Sequence, residues 1–343
     1  MFSLKEREIK TGIMLLMAGG IIYFLFSLGT VLIPFLAGII LAYLLYPLLD
    51  FLRKRNISKS SSLYIISILF LVTIIAFSVL VVPVFLNELE LLTKNIPEYI
   101  RTADKYIDFL NSEYRRINMP AAVKEVIDRT LKRVEEQLIT FMEGITERLI
   151  NSLGILFSLM IAPFITYYIL VDLDKLKKGV IRYIPAGKRR LILSVSKEIN
   201  SIFSGYLRGQ FWVSIIVGIM SSIGLFIFQI RFYILLGFFA GIFNMIPFTG
   251  PVIGSIPAVI ITLLSTPEKT ISVIIMFFVI QQLESSFISP RIISGKVGLH
   301  PLVVIFSLLT GAEIMGIWGM LLAVPAAGCI KVFAELFMKN KLS

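Results

Sequence analysis

Between 281 and 301 the chain reads QQLESSFISPRIISGKVGLHP, and these side chains are the best placed in the sequence to do chemistry. On a helix Gln281, Glu284, Ser285 and Ile288 share one face, with Gln282, Ser286 and Ser289 beside it, so one side of an otherwise apolar stretch can form hydrogen bonds. A carboxylate at membrane depth is expensive and by default marks a functional position with an interior or aqueous neighbour, so Glu284 is a candidate proton carrier. The competing reading sets Glu284 within a turn or two of the interface, paired with Arg291 or Lys296. Glu313, in TGAEIMGIWG, is the second candidate. It lies in the core if 297–330 is one continuous span, and at a solvated outer tip if that segment is a hairpin. His300 precedes Pro301 at a helix start, where a structural role outweighs a catalytic one.

Just upstream, residues 241–257 read GIFNMIPFTGPVIGSIP, and three prolines in 17 residues exclude a straight helix. Pro247 and Pro251 each remove a backbone donor and crowd the preceding turn, while Gly250 and Gly254 permit close backbone approach. A break of this kind survives at membrane depth only where it is buried in protein or lines a wet cavity. In secondary transporters such breaks aim amides and carbonyls at the solute. The segment from Asn244 onward is therefore expected to supply backbone ligands, with the 281–289 face supplying side chains. Gly237 and Gly241, or Gly250 and Gly254, are alternatively a helix-packing face.

These segments need elements to hold them, and the composition says which. Of 343 residues 57% are hydrophobic and only 16% charged, against about 25% charged in soluble domains. The charges leave uncharged windows at 11–49, 60–87, 149–171, 209–230 and 232–267. Each is at least as long as the roughly 20 residues that cross a hydrocarbon core of about 30 Å. The windows lack β-barrel alternation, so the expected fold is all-α and polytopic, with broken or re-entrant helices in the C-terminal half. Window 11–49 must make two passes that turn between Ser27 and Pro34, and it is too long for a secretory signal.

Three regions follow. N-terminal membrane helices occupy 1–87, an extracytoplasmic amphipathic segment 88–148, and a membrane transport region 149–343. Residues 172–208 hold nine bases against three acids, a cytoplasmic loop by the positive-inside rule, and both termini fall on the same side. The outer segment carries Val123, Ile127, Leu131, Val134, Leu138, Phe141, Ile145 and Leu149 on one helical stripe. That stripe serves either oligomer or interfacial contacts, or a cap on the chain's own membrane domain. Pro97 and Pro120 are expected to start or break its helices. One cysteine, Cys329, excludes an internal disulfide, and one histidine excludes a His-rich metal site. No cofactor is implied. The net charge of +11 fits cytoplasmic loops rather than nucleic acid. Neither a phosphate-cradling loop nor a protease signature occurs, which argues against an ATP-driven pump and an intramembrane protease.

Several stretches resemble the autoinducer-2 exporter family of bacterial membrane proteins. They are IPFTGPVIGSIPAV at 246–259, QQLESSFISPRIISGKVGLHPLVV at 281–304 and GIWGMLLAVPAAGCIKV at 316–332, with PFLAGIILAYLLYPLLDFL at 34–52, LVDLDKLKK at 170–178 and YLRGQ at 206–210. Pro247, Gly250, Pro251, Gly254, Gln282, Glu284, Pro290, Gly295 and Pro301 fall on the family's patterned positions. The resemblance implies about eight spans and a transporter that exports a small polar solute such as autoinducer-2, or exchanges sodium or lithium for protons. It also implies a homo-oligomer, with a pentamer among the assemblies it suggests. A membrane scaffold or regulatory protein, for example in sporulation, is the alternative from another class.

Overall fold

The computed structural model describes residues 32–115, 124–130, 160–182, 189–293 and 298–342, with isolated positions between 132 and 144 and at 184 and 187. The expected first pass, Pro120, residues 149–159, Gly295, Lys296 and most of the 123–149 stripe lie outside them. Helix follows helix, with no strand among the described residues. The expected polytopic helical fold is thus the observed one. Five helical stretches are long and apolar enough to cross a membrane, and two shorter apolar helices accompany them.

One compact unit takes in the chain up to Ile66 and Ser152–Ile181. Its helices are α1 (Leu32–Lys54), the start of α2 (Lys59–Leu80) and α4 (Ala162–Arg182). Ala42, Leu49, Leu63, Ile66 and Leu170 form its core. The Thr166 hydroxyl donates to the Gly38 carbonyl (3.0 Å), the Lys177 ammonium lies over the Tyr46 ring, and Arg53 approaches Asp174. From Gly38–Thr166 to Arg53–Asp174 the contacts advance along both helices, so α1 and α4 run parallel. Both basic ends therefore share one face, as the positive-inside reading requires. There Lys59, at the start of α2, donates to the Val171 carbonyl (2.8 Å) and to Asp174 (2.7 Å). That hydrogen bond is the main reason the Asp174 carboxyl is held below the usual aspartate range. Asn56, with φ 61°, closes α1, as the amides of Asn56 and Ile57 return to the carbonyls of Arg53 and Leu52.

The second unit contains Ser67–Asn151 and Arg182–Ser343. Helix α3 (Val82–Arg115) runs straight through Pro97, against expectation. Pro97 sits on an exposed face while Leu92, Ile96, Tyr99 and Ala103 are buried on the other, packed on Leu225, Leu235, Leu236 and Ile261. An internal proline costs about 3 kcal/mol, and burying Leu92 and Ile96 returns roughly 1.5–3 kcal/mol each, so the helix persists. Over this stretch α3 packs on the core of its own unit. The Glu88 carboxylate on α3 accepts from the Leu235 amide (2.6 Å), which serves the first turn of the next short helix in place of a local cap.

Helix α5 (Arg189–Ile227) has 39 residues, about 58 Å at 1.5 Å each, twice the hydrocarbon thickness. Much of the expected basic loop is thus helical. Val195, Ile199 and Ile202 supply the reason, since they pack on Val332 and Leu336. Beyond α5 come α6 (Tyr233–Phe243) and α7 (Thr249–Ser265), two shorter antiparallel helices in which Gly254 meets Ala240 and Gly250 meets Phe243. A Cβ on Gly250 would stand 1.9 Å from the Phe243 carbonyl oxygen, so only glycine fits. Helix α8 (Thr270–Leu283) continues through a π-turn at Glu284–Ile288 into α9 (Ser289–Ile293). The last element, α10 (Pro301–Leu342), reverses at Met315 and Gly316, where Gly316 has φ 58°. Gly311 meets the Gly319 carbonyl across the reversal. The segment 297–330 is therefore a hairpin over its described residues.

Candidate functional site

The proline-rich break does more than end a helix. Asn244 caps α6, and the Thr249 amide returns to the Pro247 carbonyl (2.8 Å) around Phe248, whose φ 64° and ψ −55° make a γ-turn of the rare, strained hand. Strain of this kind, about 1–3 kcal/mol at a non-glycine residue, persists where surroundings hold it and clusters at ligand sites. The Asn244 carbonyl, freed from the helix, accepts from the Gln210 side-chain amide of α5 at 2.5 Å. Gln210 is 3% exposed, and Tyr206, one turn earlier on the same row, is also 3% exposed.

Asn244 is 2% exposed. Its Nδ2 and Oδ1 meet no protein partner among the described residues, and neither does the Tyr206 hydroxyl. A buried polar group left unpaired costs about 1–3 kcal/mol, so sites like this one call for a function. Both residues line a cavity of about 440 Å³, together with Gln210, Pro247, Phe248, Pro251, Gln281, Glu284, Ser285 and Ser289. That volume suits a small molecule.

The far wall is the π-turn. Pro290 has no amide for the Ser286 carbonyl and would crowd it in a regular helix, and widening by one residue relieves the clash. The Ser289 amide then bonds to the Glu284 carbonyl. The Ser289 hydroxyl donates to Glu284 Oε1, and the Gln281 amide donates to Oε2 at 3.1 Å. Among the described residues these partners are neutral donors and Arg291 is not one of them, while Lys296 lies outside the described residues. No lysine or arginine lines the cavity among the described residues.

The expected site residues divide. Asn244, Pro247, Pro251, Gln281, Glu284 and Ser285 are brought together at the cavity. Gly250 and Gly254 instead pack on α6, and Gly237 and Gly241 pack on Ser222, Gly218 and Ser214 of α5, so the glycines form helix-packing faces. Gln282 is exposed and does not line the cavity, and Arg291 is exposed on α9. Glu313 is exposed beside the α10 reversal, away from the cavity. His300 accepts the Leu302 amide at Nδ1 (3.3 Å), a structural cap that places Pro301 in the first turn. Tyr206, Gln210 and Phe248 were not singled out from sequence. The available signal is Tyr206, Gln210 and Ser214 at four-residue spacing where α5 enters the uncharged window 209–230.

A larger cavity of about 770 Å³ lies by α3 and the α5–α6 turn, where Glu88, Asn95, Gln229 and Arg231 line it among aliphatic and aromatic residues. Its carboxylate is already engaged as the cap of α6.

The model of a family described as AI-2E family transporter matches residues 12–339. The Bacillus subtilis (strain 168) protein named "Putative transport protein YrrI" is 29% identical over 312 residues, 91% of this chain and 88% of the relative. The Escherichia coli (strain K12) protein named "Putative permease PerM" is 28% identical over 340 residues, 96% and 94% of the two chains. The "AI-2 transport protein TqsA" of the same strain is 24% identical over 307 residues, 89% and 86% of the two chains.

Proposed function

The chain belongs to the AI-2E transporter family, and from that membership we propose that the cavity between Asn244 and Glu284 is the solute site of a secondary transporter. A role in membrane transport follows from the family. The finer reading is a carrier for a small polar solute or a monovalent cation, with Glu284 carrying the coupling proton. The observation that supports it is Asn244, a residue of the cavity wall whose buried side-chain amide has neither its donor nor its acceptor paired with protein among the described residues. Glu284 supports the coupling role because the hydrogen-bond donors to its carboxylate among the described residues, Gln281 and Ser289, are neutral, which makes a proton or a cation a natural counter-charge. In this reading the chain sits in the cytoplasmic membrane, with the basic ends of α1 and α4 on the cytoplasmic face.

The test is reconstitution into liposomes holding a pH-sensitive dye, challenged in turn with sodium, lithium and autoinducer-2. The furanone is included because one relative is named for AI-2 transport. A dye response to a cation supports exchange, and furanone flux without one supports export. Glu284→Gln is expected to lose at least tenfold in flux, or its dependence on pH, while inserting normally. Unchanged flux and pH response in that variant would remove Glu284 from the mechanism.

A further inference from the structure

The π-turn at Glu284–Ile288 changes which side chains share a face. In a regular helix, residues 284 and 289 lie about 140° apart around the axis. Across the wider turn they fall on one row, and the Ser289 hydroxyl reaches Glu284 Oε1 while Gln281 holds Oε2 from the other side. The two donors differ in kind. An amide N–H only donates, whereas a serine hydroxyl both donates and accepts. Gln281 therefore serves one carboxylate oxygen in either protonation state. Ser289 donates to the oxygen that bears charge, and accepts from that same oxygen once it carries a proton.

Resting on the reading of Glu284 as the coupling group, we propose that Ser289 is its positioning residue. Its reversible hydroxyl keeps the carboxyl turned to the cavity both before and after the proton arrives. The balance is simple: one proton adds to Glu284 Oε1, the Ser289 hydroxyl hydrogen rotates away, and no other bond is made or broken. The other titratable group among the cavity's described lining residues is Tyr206 of α5. At the rim the Lys331 ammonium donates to the Gly298 carbonyl (2.7 Å). The α6–α7 break adds Asn244, Pro247, Phe248 and Pro251, none of which titrates.

The test uses the full chain in proteoliposomes, with sodium, lithium and autoinducer-2 as probes and flux followed against pH. It is paired with infrared spectra of the carboxyl bands that vanish in Glu284→Gln. Ser289→Ala removes the reversible partner of Oε1, so its flux–pH curve is expected to be displaced along the pH axis, and the Glu284 bands should shift. Ser289→Thr restores both, because it restores the hydroxyl. A Ser289→Ala curve that falls equally at every pH, with unmoved infrared bands, overturns the proposal alone. A Glu284→Gln variant that keeps the native pH response overturns the parent reading and this one with it.

Discussion

Asn244 shows how one side chain separates function from stability. Most buried polar residues stabilise a fold through their partners, so removing them destabilises it. Asn244 is buried with its amide unpaired, and its contact to Gln210 runs through the main-chain carbonyl, which any residue supplies. Asn244→Leu is therefore expected to leave thermal stability in detergent unchanged or slightly raised, while solute flux in liposomes falls at least tenfold. A large drop in melting temperature would instead mean that the amide is structural. Glu284 and Asn244 could be singled out because a carboxylate and a proline-flanked asparagine stand out in apolar surroundings. Tyr206 and Gln210 could not, since a tyrosine and a glutamine near the end of a span read as ordinary interfacial residues until packing shows them buried. Ser289 was set beside the polar face, because reasoning from regular helix geometry has no means of inserting the extra residue that Pro290 induces.

At the scale of elements, charge-free windows locate apolar stretches well but say little about where helices stop. Helix α5 starts 20 residues before its apolar window because Val195, Ile199 and Ile202 have α10 to pack against. Helix α3 ignores Pro97 for the same kind of reason. The reversal at Met315 and Gly316 was left open because a single glycine is equally at home within a membrane helix. Elements are also tied by charge. Lys59 at the start of α2 and Asp174 on α4 form a pair outside the membrane, with Asp174 45% exposed, so solvent screening holds its contribution under about 1 kcal/mol. Because the Asp174 carboxyl is held below its usual range, this contribution is present above the ordinary aspartate range and disappears as pH falls through the lowered value. Asp174→Asn should accordingly reduce the melting temperature slightly at pH 7 and match the native chain near pH 2. An equal deficit at both pH values would point to lost packing instead.

For the whole molecule, the outward surface carries the argument. Val79, Leu80, Ile271, Phe306 and Ile330 are each more than 60% exposed, and apolar exposure on this scale is stable only against lipid. The purified chain should remain monodisperse in detergent and precipitate when detergent is withdrawn. A monodisperse, detergent-free species on size exclusion would contradict the membrane assignment. The short reach of α6 and of α8 to the cavity has an energetic consequence. Helix α6 has 11 residues and α8 has 14, so their ends at the cavity lie about 16–21 Å from their opposite ends. A cation descending from that side to Glu284 would traverse at least half of a hydrocarbon layer about 30 Å thick. At 100 mV the electric field would then contribute more than about 1 kcal/mol per charge to occupancy alone, so affinity would follow voltage before the protein changes shape.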